Sequence, residues 1–188
     1  MTTFRTNKLV EYPWPDLFDL VLDMARYPQF VPYCRAVKLL SRRVEEPQLT
    51  IIVSRMTVGF SIFEIGYTNC TTADAVARRI DVEALDGPLR YLQAHWRFEP
   101  RGEAQTELCF SVDYEFSNPV LASVAERVFA GMFSKILNAF EQRADHLSRS
   151  GPSASSSAQR HRFATARAAC RGRRRAASRC RPRVRPKV

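Results

Sequence analysis

The segment over residues 119–147 constrains the fold of this chain most, because it predicts one long amphipathic helix. Its apolar residues recur mostly as pairs, four positions apart, and they are Val120/Leu121, Val124/Ala125, Val128/Phe129, Met132/Phe133, Ile136/Leu137, Phe140, Ala144 and Leu147. On a helix of ~3.6 residues per turn, a four-residue repeat drifts by about 40° per step, so the stripe winds about halfway round the helix. A flat surface cannot cover such a stripe, whereas a curved sheet wrapped around the helix can.

Most of the chain before this helix predicts β-strands joined by short turns. Strands are expected near residues 4–12, 35–44, 48–58, 62–73, 76–85, 91–100 and 105–116. The last of these alternates cleanly between apolar and polar side chains, which is typical of a strand with one buried face. Turn-forming sequences at Pro47, residues 86–88 and residues 101–103 separate the strands and predict an antiparallel meander.

A shorter helix is predicted after the first strand. Pro15 suits a first helical turn, and the apolar residues that follow keep helical spacing through about Arg26. The segment over residues 27–33 is aromatic and broken by prolines, so it predicts a connection with at most one short helical turn.

The positive charge of the chain is concentrated at its C-terminal end. The formal net charge is +10, yet residues 151–188 hold eleven Arg, one Lys and no acid, while residues 1–150 hold 17 basic and 19 acidic residues. We predict a folded domain over residues 1–149 and a disordered, Arg-rich tail over residues 150–188, since the tail has too few apolar side chains to form a core. Three explanations of the tail stay open: nonspecific binding to nucleic acid or anionic lipid, no interaction, and a misjoined reading frame.

The composition predicts a cytoplasmic protein. The N-terminal residues lack the apolar run of a signal peptide, and no stretch approaches the ~20 apolar residues of a membrane span. Cys34, Cys70 and Cys109 are isolated and odd in number, which is typical of reduced thiols.

Catalytic motifs are weak. His95 shares a predicted strand face with Gln93 and Arg97, which predicts a surface histidine, and Cys34 is expected to be a small buried side chain. Paired carboxylates, metal-ligand spacing and a phosphate-binding loop are not recognisable in the sequence. We therefore expect no catalytic residue, no metal and no enzymatic activity.

Three motifs resemble one known family over residues 3–147. Residues 18–24 and 27–34 read FDLVLDM and YPQFVPYC, residues 85–89 and 96–100 read LDGPL and WRFEP, and residues 139–144 read AFEQRA. In this order they resemble the coenzyme-Q-binding START-like proteins, a polyketide cyclase/dehydrase-like family that in bacteria overlaps the RatA-type ribosome association toxins. The chain departs from the family's Thr-Ser-Arg-Val pattern at residues 68–71, which read Thr-Asn-Cys-Thr.

The resemblance implies an α+β helix-grip fold, with a curved antiparallel sheet wrapped around the long C-terminal helix. It also implies that the protein binds a polyprenyl quinone, ubiquinone, in an apolar cavity and supports its delivery to the respiratory chain. Such a carrier is expected in the cytoplasm, peripheral to the inner membrane, and with no cofactor apart from the bound quinone. The expected ligand-binding residues are Trp96, Phe98, Phe110, Val112, Tyr114, Phe116, Phe129, Met132, Phe133 and Ile136.

Two alternative functions follow from the same resemblance. A ribosome-binding toxin that blocks subunit association needs a basic face on the folded domain, and the slightly acidic residues 1–150 argue mildly against it. A polyketide cyclase-like enzyme needs polar groups that converge in the cavity.

The predicted hairpin at residues 56–63 has an apolar tip, where tips are usually polar. Two interpretations stay open: the tip folds into the core, or it forms a lip of the cavity that contacts a membrane. The expected membrane-contact residues are Phe60, Ile62 and Phe63, with Phe30 and Val31 on an opposite lip.

Overall fold

A computed structural model describes residues 1–45, 48–60 and 63–149, and it describes their side chains except at residues 60, 63 and 119–130. The elements in chain order are β1 (Thr2–Val10), α1 (Trp14–Leu22), a 3₁₀ turn (Met24–Arg26), α2 (Tyr27–Phe30), β2 (Cys34–Glu45), β3 (Leu49–Phe60), β4 (Phe63–Asp74), β5 (Arg79–Ala84), β6 (Leu89–Pro100), β7 (Thr106–Phe116) and α3 (Pro119–Arg149).

The strands form one antiparallel sheet in the order β1-β7-β6-β5-β4-β3-β2. Each strand from β2 to β6 pairs with the next one along the chain, which confirms the predicted meander. Because β1 pairs with β7, the segment that carries α1 and α2 crosses from one sheet edge to the other. Register shifts at residues 34–36 and 39–41 of β2 and 89–91 of β6 mark irregularities of the kind that bend strands.

The turn between β5 and β6 explains the motif LDGPL. Gly87 has φ +109°, and a Cβ atom there would lie 2.7 Å from the Cβ of Tyr67, so both conformation and space require glycine. Beside it, the Asp86 carboxylate accepts a hydrogen bond from the backbone N–H of Thr68 at 2.6 Å. A hydrogen bond from the side chain of Thr68, followed by this backbone hydrogen bond, lowers the pKa of Asp86. The two hydrogen bonds fasten the turn to β4.

Helices α1 and α3 pack against the sheet and against each other. The buried side chains of α1 lie on one face and are Leu17, Phe18, Leu20 and Val21. On the part of α3 whose side chains are described, the buried residues are Met132, Phe133, Phe140 and Ala144. In β7, alternate residues are buried, as predicted. The sheet therefore holds the long helix on its apolar face, which is the helix-grip arrangement expected from sequence.

The boundaries differ from the predictions in two places. Helix α1 ends at Leu22 rather than near Arg26, because Asp23 leaves the helical region with φ −81° and ψ 53° and a 3₁₀ turn follows. Strand β5 begins at Arg79 rather than near residue 76, because Arg78 has φ 52°, a turn conformation.

Met1–Gly151 forms one compact unit. The predicted tail, apart from its first residues, lies beyond that unit, and all of it lies outside the described residues, so its disorder and the boundary at residue 149 stay predictions. Among the described residues, no helix is both long and apolar enough to cross a membrane.

Candidate functional site

A cavity of about 120 Å³ lies among β1, α1, β6, β7 and α3. Its deep wall is apolar and combines three sources. The sheet contributes Phe4, Val10, Trp96, Phe98, Leu108 and Phe110, helix α1 contributes Leu17, Leu20 and Val21, and helix α3 contributes Leu137 and Phe140. A site with this lining suits an uncharged, apolar ligand, because a charge would lose its hydration without gaining a partner.

The outer part of the cavity is polar. It is lined by Thr6 and Lys8 of β1 and by Ser134, Asn138 and Glu141 of α3. The Nζ of Lys8 lies 2.5 Å from the Oε2 of Glu141, and both side chains are partly exposed. A partly exposed ion pair contributes at most about 1 kcal/mol, so this link between β1 and α3 is easily opened.

Aromatic rings organise the deep wall. The ring of Trp96 lies 4.4 Å from that of Phe110 and 5.4 Å from that of Phe140, measured between centroids. The same Phe110 ring lies 6.2 Å from Phe133 on α3. These rings join the sheet to the helix, so the cavity wall is also part of the core.

The structure brings together three of the ten predicted ligand-binding residues at the cavity, namely Trp96, Phe98 and Phe110. A further set is buried in the core beside the cavity rather than in its wall, and consists of Val112, Tyr114, Phe116, Met132 and Phe133. Ile136 is half-buried. The side chain of Phe129 lies outside the described residues. The ligand-binding role of all ten residues stays a prediction.

Residues of β1 and α1 line the cavity but are not among the ligand-binding residues expected from sequence. Every second residue of β1 lines the cavity, namely Phe4, Thr6, Lys8 and Val10. The two-residue period of a strand is the signal that could have identified them as residues of one face. For α1, helical spacing predicts the apolar face but does not place it at the cavity. Glu141 and Asn138 carried no recognisable signal, because polar residues on a long helix are expected to face solvent.

The structure describes the side chains of only one of the two predicted membrane lips. Phe60, Ile62 and Phe63 lie outside the residues whose side chains are described, so that lip stays a prediction. On the opposite lip, Val31 is 8% exposed and therefore packs in the core. Phe30 is half-buried against Phe140, at 5.2 Å between ring centroids, and under the guanidinium of Arg143.

The residues weighed as catalytic are placed as predicted. His95 lies on the exposed side of β6, with its Nδ1 2.7 Å from the carboxylate of Asp81. Cys34 is buried, and burial raises its pKa to about 11, which keeps the thiol protonated and unreactive. Within the described residues, no group of three His, Cys, Asp or Glu side chains could hold a metal ion.

Asp19 introduces a pH dependence into helix α1. Burial, followed by repulsion from Asp16, raises its pKa to about 6, and the nearby Arg42 acts in the opposite direction. Because the unfolded carboxyl titrates near 3.8, the folded state binds more protons in the window between these values. Stability is therefore lost as pH rises from about 4 to 6.

We expect Asp19→Asn to be more stable than the parent at pH 7, because the neutral amide avoids the cost of a half-buried carboxylate. The difference should shrink as pH falls from 6 to 4. Urea unfolding across this range measures it, with Glu103→Gln in the exposed β6–β7 turn as the control. A stability difference that is constant with pH would contradict this assignment.

Comparison with known proteins places the chain in a family. The family described as polyketide cyclase / dehydrase and lipid transport matches residues 10–141. The chain belongs to this family. The ribosome association toxin RatA of Rickettsia prowazekii is 31% identical over 147 residues, which cover 77% of this chain and 97% of that protein. The mitochondrial coenzyme Q-binding protein coq10 of Schizosaccharomyces pombe is 26% identical over 142 residues, covering 75% and 85%.

Solved structures confirm the START-like fold of this family member. The Zhui aromatase/cyclase from Streptomyces sp. R1128 superposes with a TM-score of 0.68 at 18% identity, covering 78% of this chain and 95% of that chain. A START superfamily protein from Mycobacterium smegmatis shares the same fold, with a TM-score of 0.64 at 18% identity over 77% of this chain and 98% of that chain. The named relatives are a toxin and a quinone-binding protein while a cyclase shares the fold, so the fold alone does not decide between binding and catalysis.

Proposed function

We propose that this protein binds a polyprenyl quinone, ubiquinone, in the cavity between the sheet and helix α3 and supports its delivery to the respiratory chain. The observation that carries the proposal is the composition of the cavity, whose deep wall is aromatic and aliphatic and whose outer part is polar. A polyprenyl chain is apolar along its whole length, so burying it in such a wall is favourable without any catalytic group.

The size of the cavity adds a requirement. About 120 Å³ is below the about 300–1,000 Å³ of typical small-molecule sites. A quinone with its tail therefore enters only if α3 moves away from β1, and the exposed Lys8–Glu141 pair is one of the links that must open. Such a weak link suits a carrier, because a carrier has to release its cargo again.

Further support comes from the coenzyme Q-binding relative, whose name states the same class of ligand. In this proposal the protein works at the cytoplasmic surface of the inner membrane as a peripheral protein. Phe60, Ile62 and Phe63 at the hairpin tip supply the membrane contact, since weak insertion of a few apolar side chains gives reversible docking.

Trp96 offers a direct test of quinone binding, because quinones quench indole fluorescence on contact. The chain has two tryptophans, and Trp14 packs on Phe18 at the start of α1, at 5.9 Å between ring centroids. We expect a short-tailed ubiquinone to quench Trp14→Phe, which keeps Trp96, saturably and strongly.

The matched variant Trp96→Phe, which keeps Trp14, should be quenched much less. Native mass spectrometry of the purified full chain, with lipid extraction, should identify the bound quinone. Equal and unsaturable quenching of both variants would mean collision in solution and would overturn the proposal.

A second candidate function is ribosome binding. It is favoured by a local cluster of positive charge on a domain whose net charge is slightly negative. Strand β2 is the edge of the sheet, and its cations Arg35, Lys38, Arg42 and Arg43 are all exposed. A row of exposed cations on one edge attracts RNA phosphates even when the domain as a whole is near neutral. The slightly acidic net charge of residues 1–150 therefore does not exclude ribosome binding, a role suggested by the name of the RatA relatives.

Charge reversal on β2 tests whether this strand binds ribosomal RNA. If the protein binds ribosomal subunits, Arg42→Glu with Arg43→Glu should weaken co-sedimentation by at least about tenfold at low salt, because affinity for RNA falls whenever a cation no longer pairs with a phosphate. The control pair is Arg5→Glu with Arg97→Glu, both exposed and on other strands. The full chain is used throughout, so that the Arg-rich tail contributes equally. Equal co-sedimentation of both pairs would exclude β2 as the binding face.

A further inference from the structure

Two buried polar groups on β4 lack partners. Asn69 is 1% exposed and Thr71 is 0% exposed. The Nδ2 of Asn69 and the Oγ1 of Thr71 have no hydrogen-bond partner among the described residues. Burying an unsatisfied donor costs roughly 1–3 kcal/mol, and native proteins rarely tolerate two of them side by side. The burial of these two unsatisfied polar atoms therefore requires an explanation.

Both groups point into the same face of the sheet. Residues two apart on a strand share a face, so Asn69 and Thr71 are neighbours along β4. Opposite them on β3 lie Ser54 and Ile52. The Oγ of Ser54 lies 2.9 Å from the Oδ1 of Asn69 and 3.7 Å from the Sδ of Met24, which follows α1. The pair thus lies on the concave face, beneath the segment that continues from α1.

The uncharged groups around Asn69 favour an uncharged hydrogen-bond partner for its amide. Asn69 accepts a hydrogen bond from the hydroxyl of Ser54, which also contacts the thioether of Met24, and these described groups are uncharged. A buried anion would gain no ion pair from them. An amide N–H is a donor only, and a hydroxyl can donate as well. Both can therefore be satisfied by uncharged acceptor oxygens, such as the carbonyl or ether oxygens of a ligand head.

The distance to the cavity fits an elongated ligand. Trp96 and Phe98 belong to β6, while Asn69 and Thr71 belong to β4, with β5 between them. Two strand spacings amount to about 10 Å. On the intervening strand, the inner positions next to β4 are occupied by Ile80 and Val82, which are apolar. The inner face of the sheet between the unpartnered pair and the aromatic wall is therefore apolar.

We propose that Asn69 and Thr71 form the polar end of the ligand site and bind the neutral oxygen atoms of a lipid head, while the tail occupies the aromatic cavity. The proposal rests on the proposed function, in that the ligand is a lipid with an uncharged, oxygen-bearing head. Beyond the proposed function, it assigns the residues that bind the lipid head and gives the reason why that head is uncharged.

The test compares a short-tailed ubiquinone with an all-hydrocarbon polyprenyl chain, using displacement of an environment-sensitive fluorescent lipid from the full chain. Thr71→Val removes the hydroxyl with little change of shape, and Asn69→Leu removes the amide. Each should weaken quinone binding by about three- to tenfold, the value of one hydrogen bond, and leave hydrocarbon binding unchanged or tighter. The matched control is Thr72→Val, the next residue on the opposite face of β4.

The outcomes separate the two proposals. If the parent binds quinone and neither variant changes its preference over hydrocarbon, the head lies elsewhere and this inference fails while the proposed function stands. If the parent binds neither probe, both fail. Should Asn69→Leu not fold, the near-isosteric Thr71→Val decides alone, against Thr72→Val.

Discussion

Phe133→Ala will lower the free energy of unfolding by roughly 3–5 kcal/mol, as large truncations of core aromatic residues do. Phe133 is 7% exposed. Its ring stacks on Phe4 of β1 at 5.5 Å and lies 5.8 Å from Tyr114 of β7. It therefore fastens α3 to two neighbouring strands at once, and alanine would leave a void that neither the helix nor the sheet can close alone.

Urea unfolding followed by circular dichroism measures this loss. Leu147→Ala, on the same helix but 38% exposed, is the control, and its effect should be far smaller because little apolar area is buried there. A loss below about 1 kcal/mol for Phe133→Ala would show that α3 does not pack on the sheet through this residue.

Thr6→Trp will reduce quinone affinity by roughly a hundredfold, equivalent to about 2.7 kcal/mol. Thr6 lines the cavity from the edge strand β1, opposite Phe110 in the register. An indole at this position would fill much of a cavity of about 120 Å³. A strand tolerates aromatic residues, so the fold should survive while the ligand is excluded.

The control is Asn7→Trp, which puts the same side chain on the exposed face of the same strand. Quenching of Trp96 is unsuitable here, because the new indole also fluoresces. Displacement of a fluorescent lipid by ubiquinone is measured instead, with the melting temperature as a check on folding. Unchanged affinity in Thr6→Trp would mean that the quinone binds on another part of the concave face.

Both of these predictions depend on one property of the fold. The cavity is bounded by a sheet, by a helix from early in the chain and by a helix from its end, so the core and the proposed binding site share residues such as Trp96 and Phe110. Loosening α3 for ligand entry therefore costs stability. At the sheet edge, β1 contacts α3 through both the Lys8–Glu141 ion pair and the stacked rings of Phe4 and Phe133, so opening the cavity there disrupts both contacts.

Local patterns in the sequence were sufficient to predict the elements and their order. The four-residue repeat of apolar residues predicted α3, the alternation in residues 106–116 predicted β7, and Asp86-Gly87-Pro88 predicted a turn that glycine makes possible. These features depend on interactions between residues close together in the chain, so periodicity and turn chemistry are sufficient to reveal them.

Which residues meet at the cavity depends on contacts between segments that are distant in the chain. Lys8 and Glu141 are 133 residues apart in the chain, and their pairing depends on β1 lying at the sheet edge beside β7. The same holds for Asn69 and Thr71, whose lack of partners depends on what the crossing segment buries. Val31 is the opposite case, since an apolar residue predicted for a membrane lip packs in the core. Burial, pairing and cavity shape arise from contacts between distant segments, and residue type alone does not specify such contacts.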